Sequence, residues 1–214
     1  MSTSRELLTT SLEQAAHDYE TLGICLVADG APLELMQEWE NTLRYGCNKF
    51  IRNDAMGSME EAGDYLILDG PNTRATLKGV GEIYTKFRDW SSLIIREQAM
   101  YSPYPLSEMN AKVYPDTWGK QGLHYDSQPF TCLLYVNEGA PTQIKLLTGE
   151  WVDIDPIPGA VAFFHGREME HRVLTGTPGS FRVTVPFNYY LEDDYERPSW
   201  IDEAIYMNKD YVSA

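Results

Sequence analysis

After Pro105 the hydrophobic pattern changes period, and that change limits the folds open to this chain more than any other feature. Residues 110–114, 130–136, 142–147, 151–154, 160–164 and 181–191 are short runs with strand character, separated by Pro, Gly and Asn turns. Side chains on a strand alternate between two faces, so one face of each run can be buried while the other meets a second layer. Regular short runs in this number predict an antiparallel sandwich or barrel.

Before Pro105 the period is largely helical. Residues 12–22 predict a helix, with Ser11 and Gln14 spaced as a capping box and Gly23 placed to stop it. A strand over residues 24–27 follows, then an Asp29-Gly30 turn and a second helix over 32–45 with Pro32 in its first turn. Residues 53–64 read as a loop, 65–68 as a strand, and Asp69-Gly70-Pro71-Asn72 as a turn. Leu77, Val80, Ile83, Tyr84, Phe87, Trp90, Leu93 and Ile94 then recur at helical spacing, which predicts one long helix over 74–100 lying along a sheet. A short helix around residues 199–208 is expected near the end, with Trp200, Ile201, Ile205 and Tyr206 free to dock on the body or on a second subunit. No linker or repeat separates these parts. The expected organisation is therefore a single domain over 1–214: a helical supporting region (1–105), a β-core (106–191) and a tail (192–214).

With 214 residues the chain can build one good core and is short for two. Its net charge of −15 gives a surface that repels phosphate backbones and anionic lipid, so neither nucleic acid nor a membrane is expected as a partner. Cys25, Cys47 and Cys132 are odd in number and widely spaced, which fits reduced thiols in the cytoplasm better than a disulfide framework. The sequence carries no apolar run of signal-peptide or membrane-spanning length.

The chemistry is concentrated between residues 110 and 190. His124-Tyr125-Asp126 sets an imidazole and a carboxylate two positions apart, on one side of an extended segment or of the turn that ends it. His171 can complete the set from another strand, giving two histidines and one carboxylate on one face of a metal ion, with other positions open. His165, in Phe163-Phe164-His165-Gly166, competes for that third place. Further on, Arg182 stands inside an alternating apolar strand, where a guanidinium needs an anionic partner and fits a carboxylate with two parallel hydrogen bonds. Thr184 points to the same face and can donate to the same anion.

These residues belong to an ordered series: Tyr114-Pro115, Gly122-Leu123, His124-Tyr125-Asp126, residues 149–153, residues 156–160, His171-Arg172-Val173 and Arg182-x-Thr184 followed by Pro186-Phe187. Over about eighty residues the series resembles the 2-oxoglutarate/Fe(II)-dependent oxygenases, in particular the branch that includes isopenicillin N synthase and plant aminocyclopropane carboxylate oxidase. Residues 15–30 also resemble that branch's N-terminal segment. The resemblance implies a mainly β fold with supporting helices, a double-stranded β-helix or jelly roll. It implies Fe(II) held by His124, Asp126 and His171, 2-oxoglutarate held at its distal carboxylate by Arg182, Thr184 and Tyr114, and O2 as the oxidant. By the family's reaction, 2-oxoglutarate is decarboxylated to succinate while a C–H bond of a small-molecule substrate is hydroxylated, desaturated or cyclised. The substrate is expected among amino acids, peptide fragments or secondary-metabolite scaffolds. Relatives that halogenate carry a small residue where Asp126 stands, so the carboxylate speaks against halogenation.

Two departures bear on the substrate. Lys112 replaces the branch's usual Asn, on the same face as Tyr114, and the chain is shorter than typical members. Lys112, Asn188 and His165 are the candidate substrate residues, with Lys112 also readable as a partner of 2-oxoglutarate or of one of the acids, or as a solvated strand-edge lysine. Two other functions stay open at this stage: an iron oxidase of the same fold that does not use 2-oxoglutarate, and a non-catalytic jelly-roll ligand-binding protein. The oligomeric state is not fixed by the sequence.

Overall fold

Fourteen strands and five α-helices follow one another along the described residues of the computed structural model, which are 7–54, 63–115, 118–194, 196, 198, 200–207 and 210–213. The first part runs β1 (Leu8–Thr9), α1 (Leu12–Leu22), β2 (Ile24–Val27), α2 (Leu33–Asn41), β3 (Phe50–Asn53), β4 (Tyr65–Leu68), α3 (Gly70–Thr76), α4 (Val80–Ile95) and β5 (Met100–Tyr101). Next come β6 (Ala111–Pro115), β7 (Gln121–His124), β8 (Phe130–Tyr135), β9 (Thr142–Lys145), β10 (Trp151–Ile154), β11 (Val161–Phe164), β12 (His171–Val173) and β13 (Phe181–Tyr190). Helix α5 (Trp200–Tyr206) and β14 (Tyr211–Val212) close the chain.

The strands form two sheets. The larger has ten strands in the order β1-β2-β11-β8-β13-β6-β4-β3-β14, with β5 added on β13, and the smaller has four in the order β10-β9-β12-β7. This is a jelly roll, mainly β with helices packed on one side. Why β8, β11 and β13 are buried along nearly their whole length follows from the pleat. Cys132, Leu134, Phe163, Val185 and Phe187 face a core shared with Phe87 and Trp39 of the helices, whereas Leu133, Tyr135, Ala162 and Phe164 face a second core shared with Ile144 and Ile154 of the small sheet. A strand covered on both faces shows no polar alternation. Each fully buried Phe or Leu stabilises such a layer by about 1.5–3 kcal/mol relative to exposure, so Phe163→Ala would cost about 3–5 kcal/mol.

Parity along β13 and β6 decides where chemistry can sit. Val183, Val185, Phe187, Ala111 and Val113 take the helix side. Arg182, Thr184, Lys112 and Tyr114 therefore share the opposite face, and the register pairs Arg182 with Tyr114 and Thr184 with Lys112.

Helix α1 has the expected bounds and half of the expected capping box: the Ser11 hydroxyl accepts from the Gln14 N–H, but the Ser11 N–H donates to Thr9 Oγ1 and the Gln14 amide to Asp18, and Gly23 ends the helix in the left-handed conformation. The second expected helix becomes α2 followed by a wider π-helical turn, Thr42–Gly46. The expectation of one helix over 74–100 is wrong. Asp69 caps α3 by accepting from the Asn72 N–H, so the Asp-Gly-Pro-Asn segment is the first turn of a helix and not a free turn. The chain then breaks at Leu77–Gly79, where the Lys78 carbonyl accepts from the Trp39 indole N–H, and α4 begins at Val80. Leu93 faces solvent, and Ser91 takes a buried place in the stripe. Strands β3 and β4 join the large sheet ahead of residue 105, so that part of the chain is not helical alone. Residues 55–62 of the expected loop, and residues 199 and 208 at the ends of the expected tail helix, lie outside the described residues.

Candidate active site

Strands β7 and β12 pair so that His124 and His171 are register partners, which brings the two imidazoles side by side with ring centroids 4.1 Å apart. Asp126 lies two residues past the end of β7, and its backbone N–H donates to the Gly166 carbonyl at 2.8 Å. Its Oδ1 is 3.6 Å from His124 Nε2 and its Oδ2 is 3.4 Å from His171 Nε2. A carbonyl can only accept, so the contacts of His124 Nδ1 with Gly122 O (2.7 Å) and of His171 Nδ1 with Met169 O (2.9 Å) put the proton on Nδ1 in both rings. Both Nε2 lone pairs then face Asp126. The carboxylate is fixed in turn by the Thr131 hydroxyl, which donates to Oδ2. Gly166 permits this approach, since a Cβ there would stand 2.3 Å from Thr131 Oγ1 and 3.0 Å from Asp126 Oδ2.

The electrostatics suit a metal. Burial, followed by the neighbouring His171, lowers the His124 pKa to about 4, so its ring is neutral at pH 7 and has a lone pair to give. Burial works against the charge of Asp126, but charge and hydrogen bonds from His171 and His124, which the rings supply only in their protonated form, outweigh it and hold the carboxyl well below the usual range. The three ligand atoms lie within 4.8 Å of one another. Metal–ligand bonds of ~2.0–2.2 Å require adjacent ligand atoms about 3 Å apart, so this set needs only a small contraction to close on one ion.

At the other end of the same cavity stands Arg182, 1% exposed. Its Nη2 donates to Thr142 Oγ1 at 2.6 Å, and its guanidinium carbon lies 5.0 Å from the Tyr114 ring centroid and 5.8 Å from that of Tyr135. Nε and Nη1 have no hydrogen-bond partner among the described residues. Burial pushes the Arg182 pKa down, with Tyr114 and Tyr135 opposing. No carboxylate lies within ion-pair distance of it among the described residues, so the guanidinium carries two unused donors in a buried setting.

Gln121 connects the two ends. Its Oε1 accepts from the Tyr114 hydroxyl (2.9 Å) and from Lys112 Nζ (3.2 Å), while its Nε2 lies 2.8 Å from His124 Nε2. The cavity has a volume of about 310 Å³. Leu133, Phe164 and Val173 form apolar wall, and residues of α5 border it on one side.

The structure thus brings together His124, Asp126, His171, Arg182, Thr184, Tyr114 and Lys112. Asn188 also lines the cavity, yet both ends of its amide are engaged, Oδ1 accepting from Gln128 and Nδ2 donating to the Ser107 carbonyl. His165 does not join the group; it stacks on Tyr19 of α1 with centroids 4.2 Å apart. Sequence reasoning missed Gln121, Thr131, Thr142, Tyr135 and Gly166. Only a strand register could have found Thr142, because neutral polar residues have no spacing signature of their own.

No model of a known protein family matches the sequence, and no curated protein matches it. Solved structures do match. A prolyl-4-hydroxylase from Pseudomonas putida is 17% identical and superposes with a TM-score of 0.60 over 85% of this chain and 100% of its own. A prolyl hydroxylase from Trichoplax adhaerens, solved with a hypoxia inducible factor peptide fragment, is 14% identical with a TM-score of 0.67 over 86% and 90%. The non-heme alpha ketoglutarate dependent carbocyclase SnoK from nogalamycin biosynthesis is 12% identical with a TM-score of 0.67 over 94% and 90%. The fold is the one these oxygenases share.

Proposed function

We propose that this chain, built on the fold of the 2-oxoglutarate/Fe(II) oxygenases, is itself an Fe(II)/2-oxoglutarate-dependent oxygenase that oxidises an unactivated C–H bond of a small molecule. The observation that carries the reading is the buried Arg182 guanidinium, with two unpartnered donors on the cavity that also holds the His-Asp-His set. A buried cation without an anion is costly, and a dianion that reaches both ends of this cavity removes that cost. Bound iron and 2-oxoglutarate, with O2, supply the oxidising power and release succinate and CO2.

The chain's residues divide the remaining work. His124, Asp126 and His171 hold one face of the ion, and Gly122, Met169 and Thr131 fix their orientation. Arg182 Nε and Nη1 take the distal carboxylate of the co-substrate, with the hydroxyls of Thr184 and Tyr114 beside it. Leu133, Phe164 and Val173 keep water from the reacting centre. Lys112 is the substrate residue best supported by its place in the cavity. The three unpaired cysteines fit a reducing, cytoplasmic setting.

Arg182→Ala tests the reading. The expected result is a loss of 2-oxoglutarate affinity of at least about 100-fold, since breaking a buried charged pair costs about 3–5 kcal/mol, with Fe(II) binding retained. Unchanged 2-oxoglutarate binding in that variant would overturn it.

A further inference from the structure

The cavity holds a second cation besides Arg182. Lys112 lies on β6 two residues from Tyr114, and the two cations have different surroundings. Arg182 is enclosed by Thr142, Tyr114 and Tyr135. Lys112 is only partly buried, pairs in register with Ile67 of β4, and carries its ammonium 5.4 Å from the Tyr65 ring. Tyr65 packs in one cluster with Ile67, Tyr206 and Ile205, the last two from α5, whose Trp200 is 64% exposed. Arg182 is thus the more enclosed of the two cations, and Lys112 is the one beside the residues of α5.

Lys112 has one hydrogen bond, to Gln121 Oε1, and no carboxylate within 4.0 Å among the described residues. An ammonium has three donors, so two are unspent. Charge counting leads to the same place. The metal dication and the co-substrate dianion cancel, Asp126 offsets one of the two cations, and one positive charge is left over in a largely apolar chamber. Such a chamber favours one further negative charge, and a single ammonium matches a monoanion better than a phosphate dianion.

Building on the oxygenase reading, we infer that the substrate carries a carboxylate, that Lys112 holds it, and that the body of the substrate is apolar enough to lie against Tyr65, Ile205 and Tyr206. Gln121 positions the ammonium by accepting from it and from Tyr114 at once.

The test uses the full chain loaded anaerobically with Fe(II) and saturating 2-oxoglutarate, and a probe pair differing only in charge, 3-phenylpropionate and 3-phenylpropionamide. Binding is read from the shift of the visible absorption of the Fe(II)–2-oxoglutarate complex. The expected result is a preference of about 10-fold or more for the carboxylate, the size expected of a hydrogen bond to a charged group. Lys112→Met should remove the preference while 2-oxoglutarate affinity stays within about threefold. A complex that forms with no carboxylate preference overturns this inference alone. A loss of 2-oxoglutarate affinity in Lys112→Met on the scale of Arg182→Ala also overturns it, because Lys112 then serves the co-substrate. If wild-type protein forms no 2-oxoglutarate complex, the oxygenase reading fails first and this inference falls with it.

Discussion

The two ends of the cavity are built on opposite principles. At the histidine end every group is already oriented: each Nδ1–H has its carbonyl, and Asp126 has the Thr131 hydroxyl and a backbone N–H held by Gly166. At the arginine end a fully buried cation keeps two donors unpaired. The first end is preorganised, and an ion closes it by taking the place of the Gln121 amide at His124 Nε2. The second is complementary to something the chain does not provide, so its conformational stability and its ligand affinity pull against each other.

Removing a ligand at the oriented end gives the largest effect. His171→Ala should lower Fe(II) affinity by more than about 100-fold, beyond the 10–100-fold typical of losing an outer partner, as measured by equilibrium dialysis with metal analysis. Retained tight binding would move the third ligand elsewhere and erase the contrast. At the other end the signs should split. Arg182→Met is expected to abolish 2-oxoglutarate binding yet stabilise the ligand-free protein by about 1–4 kcal/mol, because an unpaired buried charge gives way to an apolar side chain; denaturant titration reads the second effect. A destabilised Arg182→Met would mean that Thr142 and the two tyrosine rings already satisfy the guanidinium.

The pH dependence sharpens the contrast from the histidine side. His124 has its folded pKa lowered to about 4 from an ordinary 6.5, so below pH 6.5 the unfolded chain binds a proton that the folded site refuses. Metal-free protein should therefore lose on the order of 3 kcal/mol as pH falls from about 6.5 to about 4. Asp126, whose folded pKa is depressed, adds a further loss below the ordinary carboxylate range. Thermal melts of wild type and His124→Phe across that window check it; equal slopes would show that His124 is not the group involved. The smallest effect is expected of His165→Ala, which should leave Fe(II) affinity within about twofold and cost about 1 kcal/mol through its stack on Tyr19.

The sequence made the oriented end easier to read than the complementary one. Ligands must be His or carboxylate, two of them sit two positions apart, and an alternating strand announced Arg182 by its misfit. The partners that make these residues work are Thr131, Thr142, Gln121 and Gly166, residues of ordinary type whose roles arise from pairing across strands far apart in the chain. Helix α1 was legible from its cap because a cap is a local interaction. The division between α3 and α4 was not, because Trp39 and the buried Leu77 fix it through tertiary packing and the apolar period runs on through the break.

The central claim is that both ends of the cavity engage one molecule at once. Anaerobic titration of the Fe(II)-loaded protein with 2-oxoglutarate, followed by visible charge-transfer absorption, tests it most directly. The account predicts a saturable band in wild type, a band shifted to far higher 2-oxoglutarate concentration in Arg182→Ala, and none in His171→Ala. Iron binding without any band in wild type would contradict it.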